Sequence, residues 1–219
     1  YYEHGRIGRY VVDAPLILGH EPAGEVVELG EGVTTLAVDD RVSIEPGVPC
    51  RRCMFCKTGR YNLCDDVVFM ATPPVHGAFA EYVSHPADFT YRVPDHVSLD
   101  QAALIEPLSV GLFAARRGHA GLGDRVVVLG GGPIGLMTLL ALRSHGVRDI
   151  TVVDVEPFRL ETALALGATD TVDARSEDIG VNRSDGFDLV FETAGNSMTI
   201  AQATRLARRG GRIVLVGLS

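Results

Sequence analysis

Val126-Val127-Val128-Leu129-Gly130-Gly131-Gly132-Pro133-Ile134-Gly135 is the stretch that decides the fold. Four consecutive apolar residues read as a strand buried on both faces, which is the habit of a parallel sheet covered by helices. The strand runs straight into G-x-G-x-x-G, and Ile134–Ser144 then reads as a helix. Gly130 makes the tight turn, Gly132 lets the backbone approach a pyrophosphate, and Gly135 allows the helix to pack close to the strand. Pro133 and Ile134 lie in the same turn. The helix N-terminus offers free N–H groups and partial positive charge to phosphates.

A second strand supports this reading. It ends in Val152-Val153-Asp154, with Asp154 19 residues after Gly135. A carboxylate there accepts hydrogen bonds from the adenine ribose and repels a 2′-phosphate, which favours NAD over NADP. Arg159, five residues on, stands where it can pack beside the adenine or brace the ribose. A glycine-rich turn alone is weak evidence, but strand, turn, helix and acid in order are far more specific. Further strands are expected at Ile150–Val153, near Thr171–Val172, at Phe187–Phe191 and at Arg212–Val216, and a further helix at Phe158–Leu166. Strands alternating with helices give an α/β fold with a Rossmann-type doubly wound parallel sheet.

The first 97 residues have another texture. Short β-like runs such as Gly24–Leu29 and Arg41–Ile44 are punctuated by Pro15, Pro22, Pro46, Pro49, Pro73 and Pro74, which suits an irregular β domain with long loops. The turn Val38-Asp39-Asp40-Arg41 needs tight geometry, which aspartate tolerates. Ser98 and Gln101 form a capping box that starts a helix running towards Arg117, with Gly118 as its stop and a kink or break near Glu106 caused by Pro107. The expected domains are residues 1–105 and 106–219. Neither Tyr1 nor Ser219 looks like a natural domain end, so both domains are expected to lack a part.

Composition narrows the function. The 219 residues are 46% hydrophobic and 22% charged, the balance of a globular protein with a core. Net charge is −8, which argues against a nucleic-acid partner. No apolar run is long enough for a membrane span. All four cysteines fall between Cys50 and Cys64, which is not how a secreted fold is stapled, so a reducing, cytoplasmic compartment is expected.

Cys50, Cys53, Cys56 and Cys64 read C-x2-C-x2-C-x7-C. Four thiolates make a closed tetrahedral site, which is a structural zinc site with no position left for substrate. Four thiolates also hold iron, although this spacing is not that of the common ferredoxins. Gly19-His20-Glu21 offers an adjacent imidazole and carboxylate to a metal. Adjacency alone leaves an ordinary loop histidine as the stronger reading. Glu106, set between Ile105 and Pro107, is oddly placed unless it faces a polar cavity, a metal or a backbone partner. His4, His76, His85, His96, His119 and His145 read as surface or loop residues.

The order of Gly19-His20-Glu21, the cysteine lobe and Gly130–Gly135 resembles the zinc-dependent medium-chain dehydrogenases. Longer stretches are similar to the sorbitol, xylitol and L-iditol dehydrogenases: Glu3–Gly8, Ile44–Pro49, Gly59–Leu63, Ala71–Pro74 and Leu104–Gly111. The resemblance spans essentially the whole chain. It implies a GroES-like catalytic domain ahead of the Rossmann domain, and two zinc ions, one catalytic and one structural. His20 and Glu21 match ligands of the catalytic zinc, and Glu106 matches a carboxylate that meets substrate or metal there. Tyr1, Phe69 and Thr72 match substrate-cleft residues. Ile134 matches a residue under the cofactor, Asp154 and Arg159 the adenosine-ribose clamp, and Val216-Gly217-Leu218 backbone beside the nicotinamide. The family's cysteine ligand to the catalytic zinc would precede Tyr1. The full cysteine lobe is similar to bacterial and fungal members, and a homotetramer or homodimer is implied.

The resulting expectation is an NAD-dependent zinc oxidoreductase that converts a secondary alcohol of a polyol to a ketose. Two alternatives are a dehydrogenase of the same fold acting on threonine, butanediol or a simple alcohol, and a non-enzymatic zinc-ribbon binding module.

Overall fold

The computed structural model describes residues 5–8, 10–177, 179 and 185–218. Tyr1 and His4 lie outside the described residues. The chain divides into two compact units, Tyr1–Glu106 and Pro107–Ser219.

The first unit is built from short antiparallel pairs. β1 (Arg6–Ile7) pairs with β2 (Tyr10–Val11), and β3 (Ala23–Glu25), β4 (Arg41–Ile44) and β7 (Thr90–Arg92) form a three-stranded sheet. β5 (Gly47–Val48) pairs with β6 (Val68–Phe69). The expected long run at 24–29 contributes only its first two residues to β3. The turn before β4 is tight, with Asp39 at a φ of 71°. A short helix α1 (Met54–Lys57) lies inside the cysteine lobe.

The expected helix after Ser98 is two helices. Ser98 caps α2 (Leu99–Ala103) through a complete capping box with Gln101. The chain breaks at Leu104, and α3 (Ile105–Arg117) follows. Pro107 has no N–H to give an i−4 carbonyl, so it is accommodated in the first turn of α3, where that N–H would be unpaired anyway.

The second unit is a five-stranded parallel sheet in the order β10-β9-β8-β11-β12. These strands are β8 (Arg125–Leu129), β9 (Asp149–Asp154), β10 (Asp170–Asp173), β11 (Phe187–Glu192) and β12 (Ala207–Leu215). Helices α4 (Pro133–Ser144), α5 (Pro157–Ala165) and α6 (Ser197–Leu206) connect them. Alternate residues of β8 serve opposite cores. Val126 and Val128 pack with Leu139, Leu142 and Phe191, while Val127 and Leu129 pack with Phe187, Val190 and Leu206. That is why β8 is apolar at every position rather than every second one. β12 begins earlier than expected because residues 208–211 bulge between the Phe187–Ala207 and Leu189–Arg212 pairings. Gly210, at a φ of 74°, permits that bulge.

Gly111 of α3 faces the backbone of α4 so closely that a Cβ would lie 2.6 Å from the Met137 carbonyl carbon. Backbone atoms cannot swing aside as a side chain does. Gly111→Ala is expected to cost about 1–3 kcal/mol and to lower the thermal midpoint of unfolding measured by circular dichroism, whereas Gly121→Ala, with open space at its Cβ, leaves it nearly unchanged.

Candidate functional site

His20 and Glu21 lie in an extended segment outside helix and strand, so main-chain pairing sets their position. The N–H groups of Gly77, Phe79 and Ala78 donate to the carbonyls of Ile17 (2.7 Å), Leu18 (2.9 Å) and Gly19 (2.8 Å). Gly19 has a φ of 90°, and a Cβ there would run into the Phe79 ring. On the other side Ala23 pairs with Ser43, and the Ile44 N–H donates to the Pro22 carbonyl at 3.2 Å. Two residues with no periodic signature are thereby held from both flanks.

The ligand atoms of His20, Glu21 and Glu106 lie within 4.8 Å of one another. Glu106 is half-buried in the first turn of α3. Burial, then the charges of Glu21 and Glu45, push its carboxyl up to about 7. Gathered carboxylates repel, and a dication in their midst reverses that repulsion. One imidazole nitrogen and two carboxylate oxygens within reach of one ion form a donor set that suits zinc. Phe69 packs its ring 5.6 Å from the His20 ring, tilted by 55°. Thr72 is half-buried, and its N–H donates to the Phe69 carbonyl at 3.2 Å.

Sequence reasoning gave no role to Glu45, the third carboxylate felt at this site. Its Oε2 accepts from the hydroxyls of Tyr61 (3.2 Å) and Tyr91 (3.0 Å), and its carbonyl meets His85 Nε2 at 2.9 Å. Burial and this carboxylate push Tyr91 up to about 12. His85 is thus a half-buried bridging residue in a loop, consistent with the surface-or-loop reading of the sequence. The partners lie 16, 46 and 40 residues away, so no local pattern marks the group.

The four cysteine Sγ atoms also lie within 4.8 Å of one another, and all are free thiols. Cys53 Sγ is 3.4 Å from Cys56 Sγ, and Cys50 Sγ is 4.0 Å from it. A tetrahedron of thiolates with bonds of about 2.3 Å has edges of about 3.8 Å, so the spacing fits an ion and is far too wide for a disulfide. Main-chain N–H groups already point at the sulfurs, from Cys53 to Cys50, from Cys56 to Cys53 and from Cys50 to Cys64. The N–H groups of Arg52 and Cys53 pull the Cys50 thiol down to about 6, while burial and the Cys53 thiol push Cys56 up to about 12. The lobe is tied down by an Arg51–Asp88 ion pair at 2.8 Å, by Arg51 over the Phe89 ring and by Tyr61 set edge-on to Phe89.

The glycine turn has the geometry its sequence asks for. Gly130 adopts a φ of 107°, and a Cβ on Gly135 would collide with the Gly130 carbonyl. Asp154 is almost fully buried at the end of β9. Its Oδ2 accepts from the Gly131 N–H at 2.6 Å, and its Oδ1 from the N–H groups of Val155 and Glu156. Arg159 braces this carboxylate at 3.5 Å and lies over the Phe158 ring. Ile134 is half-buried in the first turn of α4, next to Pro133. Val216 and Gly217 both donate their N–H groups to the Glu192 carbonyl, and Leu218 is exposed beside them.

Two family models match the chain, the alcohol dehydrogenase GroES-like domain over residues 1–95 and the zinc-binding dehydrogenase over residues 133–219. The chain thus carries an alcohol dehydrogenase GroES-like domain followed by a zinc-binding dehydrogenase domain. It is 48% identical to sorbitol dehydrogenase of Bacillus subtilis over the whole chain and 63% of that relative. Among solved structures, L-idonate 5-dehydrogenase from Escherichia coli superposes with a TM-score of 0.93 at 30% identity, over all of this chain and 64% of that one. A zinc-binding dehydrogenase from Sinorhizobium meliloti, solved bound to NADP, gives 0.88 at 34% identity over 93% of this chain and 61% of that one. The chain therefore spans a little under two thirds of the length of these relatives.

Metal binding must displace protons wherever a ligand is protonated beforehand. Zinc added to the metal-free protein at pH 7 is expected to release protons, measured by calorimetry in buffers of different ionisation enthalpy. Affinity at the His20 cluster falls as pH drops below about 7, because Glu106 then holds a proton that the ion must expel. Glu106→Gln removes that part of the pH dependence. Cys64→Ser is expected to lose one zinc ion per chain by elemental analysis and to lower the unfolding midpoint by roughly 5 °C or more.

Proposed function

We propose that this protein is a zinc-binding dehydrogenase that oxidises a secondary alcohol of a polyol such as sorbitol, xylitol or L-iditol to the ketose, with NAD⁺ as the acceptor. The convergence of His20, Glu21 and Glu106 within 4.8 Å of one another carries the reading, because it is an open metal-binding group rather than a closed one. The sorbitol dehydrogenase and L-idonate 5-dehydrogenase likenesses support the substrate class.

In this reading residues 1–105 are the catalytic domain and 106–219 the nucleotide-binding domain. His20 and Glu21 hold a catalytic zinc, with Glu106 as a third donor or the carboxylate beside it, and the four cysteines hold a structural one. Zinc supplies a Lewis acid that polarises the alcohol oxygen and eases loss of its proton. Bound NAD⁺ supplies the hydride acceptor.

The chain's own residues do the rest. Phe69 fixes the plane of the His20 ring and gives the site an apolar wall. Phe69 and Thr72 line the substrate side, the role that the family resemblance also implies for Tyr1. Glu106, half-buried beside His20 and Glu21, is placed to take up the hydroxyl proton at a carboxylate oxygen. Gly130, Gly132 and Gly135, with Pro133 and Ile134, let the main chain close on the pyrophosphate, and the start of α4 faces its charge. Asp154, braced by Arg159, meets the adenine ribose and disfavours a 2′-phosphate. Val216, Gly217 and Leu218 serve the nicotinamide half. The free thiols support a reducing compartment, the cytoplasm.

A substrate panel followed by NADH absorbance is the direct test. Polyols are expected to be oxidised faster than threonine, butanediol or ethanol, with about two zinc ions bound per chain. His20→Ala should reduce kcat by about a hundredfold or more; undiminished turnover would rule out the zinc assignment. Asp154→Ala should shrink the preference for NAD over NADP by about tenfold, and an unaltered ratio counts against its ribose role.

A further inference from the structure

Glu192, the last residue of β11, is fully buried and has no part in the chemistry above. Its Oε1 accepts three hydrogen bonds, from the N–H groups of Ala194 (3.0 Å) and Gly195 (2.8 Å) and from the Thr199 hydroxyl (2.7 Å). Its Oε2 is buried with no hydrogen-bond partner among the described residues. A buried carboxylate oxygen left unpaired is costly, so its retention calls for a physical reason.

The surroundings supply one. Oε2 is aimed at Gly217, where a Cβ would lie 2.9 Å from it. A Cβ on Gly217 would also strike the Gly195 backbone, and one on Gly195 would strike the Leu218 carbonyl. The Glu192 carbonyl accepts from Val216 (2.8 Å) and Gly217 (3.0 Å). One residue therefore sets two backbone segments that lie against each other, 194–195 through its side chain and 216–218 through its carbonyl and its second oxygen.

Those segments have a definite place relative to the glycine turn. In the order β9-β8-β11-β12, Asp154 ends the strand on one side of β8 and Glu192 ends the strand on the other. Thr193 links the two halves, its hydroxyl donating to the carbonyls of Leu129 (3.0 Å) and Gly130 (2.9 Å). A dinucleotide with its pyrophosphate at Gly130–Gly135 and its adenosine at Asp154 must extend its other half over the ends of β11 and β12.

We infer that Glu192 is a positioning residue for the nicotinamide half of the dinucleotide, acting through residues 194–195 and 216–218. The inference rests on the dinucleotide reading given above. Glu192→Gln keeps the shape and one acceptor oxygen. That oxygen is held by the three donors at Oε1, so the amide nitrogen takes the place of Oε2 and presses N–H donors on Gly217.

The test compares two ligands on the full chain, NADH by its fluorescence and ADP-ribose by calorimetry. ADP-ribose carries the adenosine and pyrophosphate contacts but no nicotinamide. Glu192→Gln is expected to weaken NADH binding about tenfold or more and ADP-ribose binding by less than about twofold. Equal losses, or no loss, overturn the inference while leaving the dinucleotide reading standing. A wild-type chain that binds neither ligand removes the dinucleotide reading itself. If Glu192→Gln does not fold, Thr199→Val, which deletes one donor to Oε1, is judged by the same comparison, with NADH alone weakened about threefold.

Discussion

Helix α4 can begin at the very end of β8 only because Gly135 has no side chain to strike the Gly130 carbonyl. The rest of the second unit is organised around that approach. It brings the start of α4 to the end of β8, exposes the Gly131 N–H to the carboxylate of Asp154, and leaves the Gly130 carbonyl for the Thr193 hydroxyl. Strands β9 and β11 are thus fastened to one turn from opposite sides. The turn is not a loose loop waiting for a ligand; its shape is already specified by a side chain from each neighbouring strand.

The candidate metal-binding group in the other unit follows a contrary logic. There the chain gathers three carboxylates, Glu21, Glu45 and Glu106. Glu21 and Glu45 raise the cost of ionising Glu106, and Glu45 spends its hydrogen bonds on two tyrosines. Backbone pairing of 17–19 with 77–79 holds the arrangement in spite of the repulsion. Such a site is preorganised for a cation by the scaffold's refusal to relax. The cysteine lobe repeats the principle with sulfur, its main-chain N–H groups already turned towards the sulfurs.

Legibility in the sequence follows the range of the interactions. The β8 turn, the helix at Ile134 and the Ser98–Gln101 capping box are local, and each reads correctly from a dozen residues. The break before Ile105 was legible as a disturbance at Pro107 but not as two separate helices, since that depends on where the proline's missing donor costs least. The short strands of the first unit were harder, because Gly24–Leu29 looks like one run while its pairing with β4 ends at Glu25. Glu45 and Glu192 carried no signal at all. A lone glutamate after an apolar strand is commonplace, and its meaning comes from tyrosines, turns and glycines distant in the chain. His20 and Glu21 were named through family likeness, and only the backbone pairing explains why an unstructured-looking segment can hold a metal.

The strand order of the second unit also bears on how it is made. β8, β9 and β10 lie side by side in the order of synthesis, so each can join the sheet by closing one short crossover. β11 cannot continue that series. It must pass over the finished half and dock on the far edge of β8, completing contacts with residues more than sixty positions earlier. Loop closure of that length gives nothing back until the last pairing forms. The boundary between β8 and β11, where the strand order reverses, is therefore a late-closing seam of the sheet.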